Sequence, residues 1–453
     1  MTSSRRPARS VPNRDVRREN LPSPPHLYAN AMQRRNLLDF LCPSLRGYSR
    51  KVRIGVDATC WNQRRGYGRH LRALLRAVYE RNHPHEFVLF VDAPPAEEHA
   101  PPVGAELRRV YVQTPAATAA RAEGSRSLPD MWAMSRALSD PSLDCVFFPT
   151  VYSFVPVFTR ASKLLMIHDV IAERLPQYVF PTRSGWLKWK AKCALAVRQS
   201  RMILTVSDFS RRSIADYFKI PLEKVRVIGE AADAVFRRLP ERQWPEALAA
   251  KGIRPGGRLI TYVGGFSPHK NLLRLLEVFD RLTAEPRLED VHLVLVGDYS
   301  TDPFYSSYPE LKRRLDGSRI AARVVFTGFL PDGDLVRLLN HSSLLALPSL
   351  MEGFGLPAVE AAACAVPVVA TKHSPIPELL GEGAIAVDPH STEEIHQAIV
   401  KVLDDEILRR GMGETAACAA AALSWERAAD DLLSAMDEVA AALPLRNRQA
   451  SRP

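Results

Sequence analysis

From residue 51 onward, short apolar runs alternate with stretches whose hydrophobic positions recur at helical spacing. Lys51–Asp57 is a β-branched run. A loop holding Gly66 and Gly68 follows, and then Arg69–Glu80 places Leu71, Leu74, Leu75 and Val78 on one face. Phe87–Val91, Cys145–Phe148, Leu164–Ile167, Met202–Val206 and Val225–Ile228 repeat the brief strand-type pattern, separated by loops or helical stretches. Runs apolar on both faces and joined by helices predict parallel strands in a doubly wound sheet.

A second round begins at Leu259–Val263, followed by Gly264, Gly265 and a helix over about Asn271–Leu282. Strands are expected at Val291–Val296, Val324–Thr327, Leu344–Leu347 and Val368–Ala370, with helices at Asp332–Asn340 and Pro357–Cys364 and a last one at Trp425–Leu443. The predicted fold class is therefore α/β: two doubly wound, Rossmann-like parallel-sheet domains facing across a cleft. The expected boundaries are 51–235 for the first domain, 236–257 for a linker and 258–424 for the second domain. Residues 425–443 form a terminal helix expected to pack back toward the first domain. Residues 1–50, rich in Arg, Pro and Ser, read as a largely disordered basic leader with a short helix near Ala31–Leu41, and 444–453 as a tail. In such a pair of open sheets, ligands bind at the carboxyl ends of the strands, where loops and helix N-termini meet.

The 453 residues carry 61 Lys and Arg against 50 Asp and Glu, a net charge of +11. That excess is uneven. Residues 1–50 carry +7 and the last ten residues +3; between them, residues 51–233 carry +9 and residues 234–443 carry −8. A nearly neutral body with no RNA- or DNA-binding motif argues against nucleic acid as a partner. The six cysteines show no C-x-x-C spacing, so neither a zinc site nor a disulfide framework is expected, and a cytoplasmic location fits. The longest apolar run, about Ala361–Ala370, contains Pro367 and is half the length of a membrane span.

The densest chemistry lies in Leu347–Ala361, LPSLMEGFGLPAVEA. A strand ends, a two-glycine loop follows, and Pro357 sits where the first turn of a helix tolerates it. Glycines allow close backbone approach, and the helix start offers N–H groups suited to an oxyanion. Glu352 in the loop and Glu360 one turn into the helix can reach different parts of one long ligand.

EGFGLPAVEAAACAVPVVAT (Glu352–Thr371) resembles the Glu-x7-Glu motif of retaining glycosyltransferases of family 4, which have the GT-B architecture. KVRIGVDATCWNQRRGYGRHLRALL (Lys51–Leu75), IHDV (Ile167–Val170), TVSDFSRRSI (Thr205–Ile214) and YVGGFSPHKN (Tyr262–Asn271) resemble further elements of that family, in the same order. The resemblance implies that Lys270 neutralises the donor pyrophosphate, that Glu360 accepts hydrogen bonds from the donor ribose, and that Glu352 and His168 stand beside the transferred sugar as the catalytic pair. It implies donor contacts from Gly66 and Gly68, with Arg69 assisting, and from the amides of Phe354, Gly355 and Leu356. Asp169 is expected to fix its loop. The implied substrates are a UDP- or GDP-linked sugar and a glycan or lipid-linked acceptor, with no cofactor and no required metal. Two positions depart from the pattern: Gly265 stands where many relatives carry an Arg, and Gly229-Glu230-Ala231 replaces a frequent Asn-Gly.

The stretch from Trp186 aligns Trp186, Trp189, Cys193 and Val197 with lysines around them. It reads either as an ordinary helix covering the first sheet or as a peripheral contact with the anionic inner face of the cytoplasmic membrane. Two other functions fit the same motifs: a non-catalytic sugar-nucleotide-binding subunit, which the missing Arg at Gly265 keeps in view, and a GT-B-like sugar-nucleotide epimerase.

Overall fold

The computed structural model describes residues 50–442 except 64–65, 117–126, 242, 252, 254 and 300–305. The leader with its expected helix near Ala31–Leu41 and the tail from 444 lie outside the described residues.

Two parallel sheets organise the chain. The first contains β1 (Arg53–Asp57), β2 (Glu86–Val91), β3 (Glu106–Arg109), β4 (Cys145–Phe148), β5 (Ser162–Met166), β6 (Met202–Thr205) and β7 (Val225–Val227), in the order β3-β2-β1-β4-β5-β6-β7. The second contains β8 (Leu259–Val263), β9 (His292–Val296), β10 (Val324–Gly328), β11 (Leu344–Leu347), β12 (Val368–Thr371) and β13 (Ala384–Val387), in the order β10-β9-β8-β11-β12-β13. Residues of β4, β6, β11 and β12 are buried throughout, as a sheet covered on both faces requires. In each sheet the winding reverses beside the first strand, between β1 and β4 and between β8 and β11, which opens a crevice at both switch points.

The first sheet carries α1 (Gly66–Tyr79), α2 (Leu128–Leu138), α3 (Arg183–Gln199) and α4 (Asp208–Phe218). The second carries α5 (Leu272–Leu282), α6 (Tyr308–Leu315), α7 (Asp332–His341), α8 (Leu356–Ala363), α9 (Thr392–Asp404) and α10 (Glu406–Ala421). The final helix, α11 (Trp425–Ala441), crosses back and packs along α1. It buries Leu432, Met436 and Val439, and its rim pairs Asp430 with Arg81 at 3.1 Å and Asp437 with His85 at 3.0 Å.

The strands β3 and β13 and the helices α2, α6, α9 and α10 add to the elements expected from sequence. Along α3, Cys193 and Val197 are buried, and the Trp189 indole donates to Glu173 Oε1 at 2.8 Å, so this face covers the sheet. Leu187 and Leu195 face outward instead. Among the described residues no helix is long and apolar enough to cross a membrane.

Candidate active site

One wall of the cleft is built where β8 and β11 end. After β8 the chain turns through Pro268–Lys270, and Asn271 ties that turn to neighbouring loops by donating to the carbonyls of Pro348 (2.9 Å) and Pro389 (2.7 Å). Lys270 Nζ then lies 2.7 Å from Glu352 Oε1, the same oxygen that accepts from Ser349 Oγ at 2.6 Å. Burial alone would raise the Glu352 carboxyl, but the Lys270 charge and these two hydrogen bonds hold it below its ordinary value. His269, one residue before Lys270, is pushed down to about 3 by burial and then by the lysine, so it is neutral.

On the opposite wall, His168 follows β5. Its Nε2 is 3.1 Å from the Pro149 carbonyl and its Nδ1 is 3.4 Å from Glu230 Oε1. Glu230 also lies 3.6 Å from His70 Nε2, and the His70 and His168 rings meet edge to face at 4.9 Å. Glu230 thus occupies the departure from the family pattern noted in the sequence and joins two histidines. Asp169 accepts from the Ile171 amide at 2.9 Å, the loop-fixing bond expected of it.

The two walls meet at Gly353. Its carbonyl accepts from Ser207 Oγ at 2.8 Å and from Ser210 Oγ at 2.9 Å, both on the first domain. Ser207 also caps α4 by accepting from the Ser210 amide, so one hydroxyl starts a helix and closes the cleft. A Cβ on Gly353 would lie 2.7 Å from Asp169 Cβ and 2.9 Å from the His168 carbonyl, so only glycine permits this approach. A second crossing is electrostatic: Arg69 of α1 reaches Glu360 Oε1 at 2.8 Å and Asp332 Oδ2 at 3.3 Å. Despite Arg69, burial with help from Asp332 and Asp233 pushes the Glu360 carboxyl up to about 7.

These contacts place the residues expected from sequence in two groups. Lys270, Glu352 and Asp169 line one open cavity of about 180 Å³ together with Tyr67 and Tyr152. His168 adjoins it, lining a second cavity that shares Tyr67, Tyr152 and Asp169. Glu360 lies instead beside Arg69, with Phe354, Gly355 (φ 85°) and Leu356 opening its helix. Gly66 begins α1, whereas Gly68 is required by its own loop: a Cβ there would lie 2.3 Å from the Gln63 carbonyl. Sequence reasoning did not single out Tyr67, Tyr152, Ser207 or Ser349, and it noted Glu230 only as part of a departure from the family pattern. Ser207 carried a readable signal, a Ser directly before a helical run. Among the described residues no group of three His, Cys, Asp or Glu side chains is arranged to hold a metal ion.

Two protein families match the chain: Glycosyltransferase Family 4 over residues 64–235 and Glycosyl transferases group 1 over residues 245–418. O-antigen chain mannosyltransferase B of Escherichia coli is 28% identical over 271 residues, covering 59% of this chain and 68% of that protein. The D-inositol 3-phosphate glycosyltransferase of Mycobacterium marinum is 31% identical over 238 residues, covering 52% of this chain and 49% of the relative. The match to the serotype-specific mannosyltransferase WbdA of E. coli, 28% identical over 50% of this chain, spans only 27% of that longer protein. Among solved structures, sucrose-phosphate synthase from Thermosynechococcus elongatus superposes with a TM-score of 0.68 at 16% identity, over 87% of this chain and 100% of the other. HepE from Anabaena, in complex with UDP-glucose, gives 0.65 at 18% identity, over 86% and 99%. At these identities the structural likeness speaks for the fold. With two parallel-sheet domains closing on one cleft and each half matched by its own family, the chain is a GT-B glycosyltransferase in which a family 4 domain is joined to a group 1 domain.

Proposed function

We propose that this glycosyltransferase moves a hexosyl group from a UDP- or GDP-linked donor to a glycan, polysaccharide or lipid-linked acceptor, with retention at the anomeric carbon and without a required metal. The mannosyltransferases among its relatives make mannose a candidate sugar. The reading rests on one observation: across the closed cleft, the Lys270–Glu352 pair faces His168 and Asp169, with Gly353 as the point of contact. Lys270 and the amides opening α8 supply positive potential for the leaving diphosphate. Glu360 accepts from the ribose hydroxyls once Arg69 yields its place. Glu352, fixed by Lys270 and Ser349, orients the transferred sugar, and His168 lies on the side from which the acceptor arrives.

With Glu352 Oε1 held by Lys270 and Ser349, we take this carboxyl as the group that orients the sugar and not as a nucleophile. The step we propose is a same-face displacement. The bond from C1 to the acceptor oxygen forms as the bond from C1 to the phosphate oxygen breaks, and the acceptor proton passes to that phosphate oxygen. We place the protein in the cytoplasm, peripheral to the inner face of the membrane when its acceptor is lipid-linked.

A thermal-shift screen of nucleotide sugars identifies the donor without knowledge of the acceptor, since a ligand that binds the folded state raises the melting temperature. Proton NMR of the product then reads the anomeric configuration. An inverted product would refute the mechanism. A donor that binds but is never consumed over an acceptor panel, with Glu352→Ala changing nothing, would make the chain a binding subunit, and donor isomerisation without an acceptor would make it an epimerase.

A further inference from the structure

The acceptor-side wall has a chemistry of its own. Tyr67, Tyr152 and Tyr178 line the cavity that ends at Lys270 and Glu352, with Ile171, Ala172 and Val179 between them. The adjoining cavity shares Tyr67 and Tyr152 and adds Glu173 and Trp189. The rings form a continuous surface: Tyr67 to Tyr152 at 5.2 Å, then Tyr152 to Trp189 at 4.6 Å.

Two carboxyls are set into this surface, each fixed by a bond to one of its oxygens. Asp169 Oδ1 accepts from the Ile171 amide, and Glu173 Oε1 accepts from the Trp189 indole and from Cys193 at 3.4 Å. Those bonds use Oδ1 and Oε1, and none of them engages Oδ2 or Oε2. Among the described residues lining the two cavities, the cation is Lys270, which stands on the donor wall and is ion-paired with Glu352.

Aromatic faces suit the C–H faces of a sugar ring, and fixed carboxylate oxygens suit its hydroxyls. An anionic acceptor would instead place another negative charge beside Asp169, Glu173 and Glu352 in a desolvated site, where like charges are costly. Burial already pushes Asp169 up, and Glu173 to about 7.

We propose that this wall is the acceptor subsite and that it takes an uncharged hexopyranose, the terminal sugar of a neutral glycan, while discriminating against phosphorylated and uronic acid acceptors. The proposal rests on the transferase reading above and specifies its acceptor.

Saturation-transfer NMR on the full chain, with UDP or GDP present, tests it directly. Methyl α-mannopyranoside and methyl α-glucopyranoside are compared with mannose 6-phosphate and methyl β-glucuronide. The neutral pair is expected to bind and the charged pair is not. Tyr152→Leu should weaken the neutral pair about threefold to tenfold, the loss of one aromatic contact. Glu173→Gln preserves the packing, so it decides the matter if Tyr152→Leu does not fold. At pH 8, where Glu173 is ionised, it should strengthen the charged pair roughly tenfold, because one like charge is removed. Equal or preferred binding of the charged sugars to wild type would overturn the proposal, as would an unchanged ranking in Glu173→Gln. A transfer assay run in parallel separates the two readings. Sugar binding without any transfer would sink the transferase reading and leave the subsite standing, whereas transfer only to charged acceptors would do the reverse.

Discussion

Glu360 is a carboxyl with almost no access to water, facing a guanidinium from the other domain. Its ordinary value of 4.5 is pushed up to about 7, chiefly by burial and against the pull of Arg69. Between those two values the folded chain keeps a proton that the unfolded chain releases, so this group makes stability fall as pH rises through the window. At pH 5 the effect is small. By pH 8 the carboxyl is ionised in both states, and the stability lost since pH 5 is on the order of 2 to 3 kcal/mol, each pH unit in which only the folded state holds the proton costing ~1.4 kcal/mol. Glu360→Gln removes the titration and leaves Arg69 its Asp332 partner. Urea denaturation followed by circular dichroism at pH 5, 6, 7 and 8, for both proteins, gives the stability difference at each pH. Contributions of other titrating groups cancel in that difference. It should move in favour of Glu360→Gln by roughly 2 to 3 kcal/mol from pH 5 to pH 8, whatever pH-independent offset the substitution introduces. A difference that stays constant would show that the carboxyl is ionised throughout, with the Arg69 ion pair outweighing desolvation, and would refute the reasoning.

Gly353→Ala should leave the melting temperature nearly in place while kcat/KM falls about 100-fold, the usual cost of misplacing catalytic groups by an ångström. The added Cβ would meet Asp169 and the His168 carbonyl, so the cleft could not close fully, and small-angle scattering should report a larger radius of gyration. For Lys270→Met, calorimetry should find affinity for the donor's nucleotide lowered roughly 10- to 100-fold, the worth of hydrogen bonds to a charged group. Losing the lysine also frees the Glu352 carboxyl to rise, which should move the acid limb of the pH–rate profile upward.

The interior strands were legible because both their faces are buried, so they read as continuous apolar runs such as Val-Val-Ala-Thr at β12. The edge strand β3, Glu-Leu-Arg-Arg, escaped notice because its polar exposed positions erase that signal. Helix α10 was hidden by its own composition. Small residues lie where it packs tightly; a Cβ on Gly413 would be 2.4 Å from the Ala365 carbonyl, and such a surface has no strong apolar stripe. Lys270, Glu352 and Glu360 stood out because glycine, proline and acidic residues cluster at strand-to-helix turns. The contacts that join the walls did not, since Ser207 and Gly353 are 146 positions apart and nothing local links them. The tyrosines of the proposed acceptor wall, Tyr67 in α1, Tyr152 in a turn and Tyr178 in a short helical turn, come from separate segments and converge only in the folded chain.

Helix α11 has a consequence for the order in which the molecule can be made. Its buried face covers α1, Trp425 rests against His70 at 5.3 Å, and Arg226 of β7 is paired with Glu438 at 3.0 Å. The domain whose sheet is translated first thus lacks part of its apolar cover until residues 425–441 have left the ribosome. During translation of the whole second domain, the face of α1 that α11 covers stays open, a long-range pairing of the kind that slows folding and invites association with other chains. The native state is therefore reached by a final docking step, in which the last helix seals a domain begun some hundreds of residues earlier.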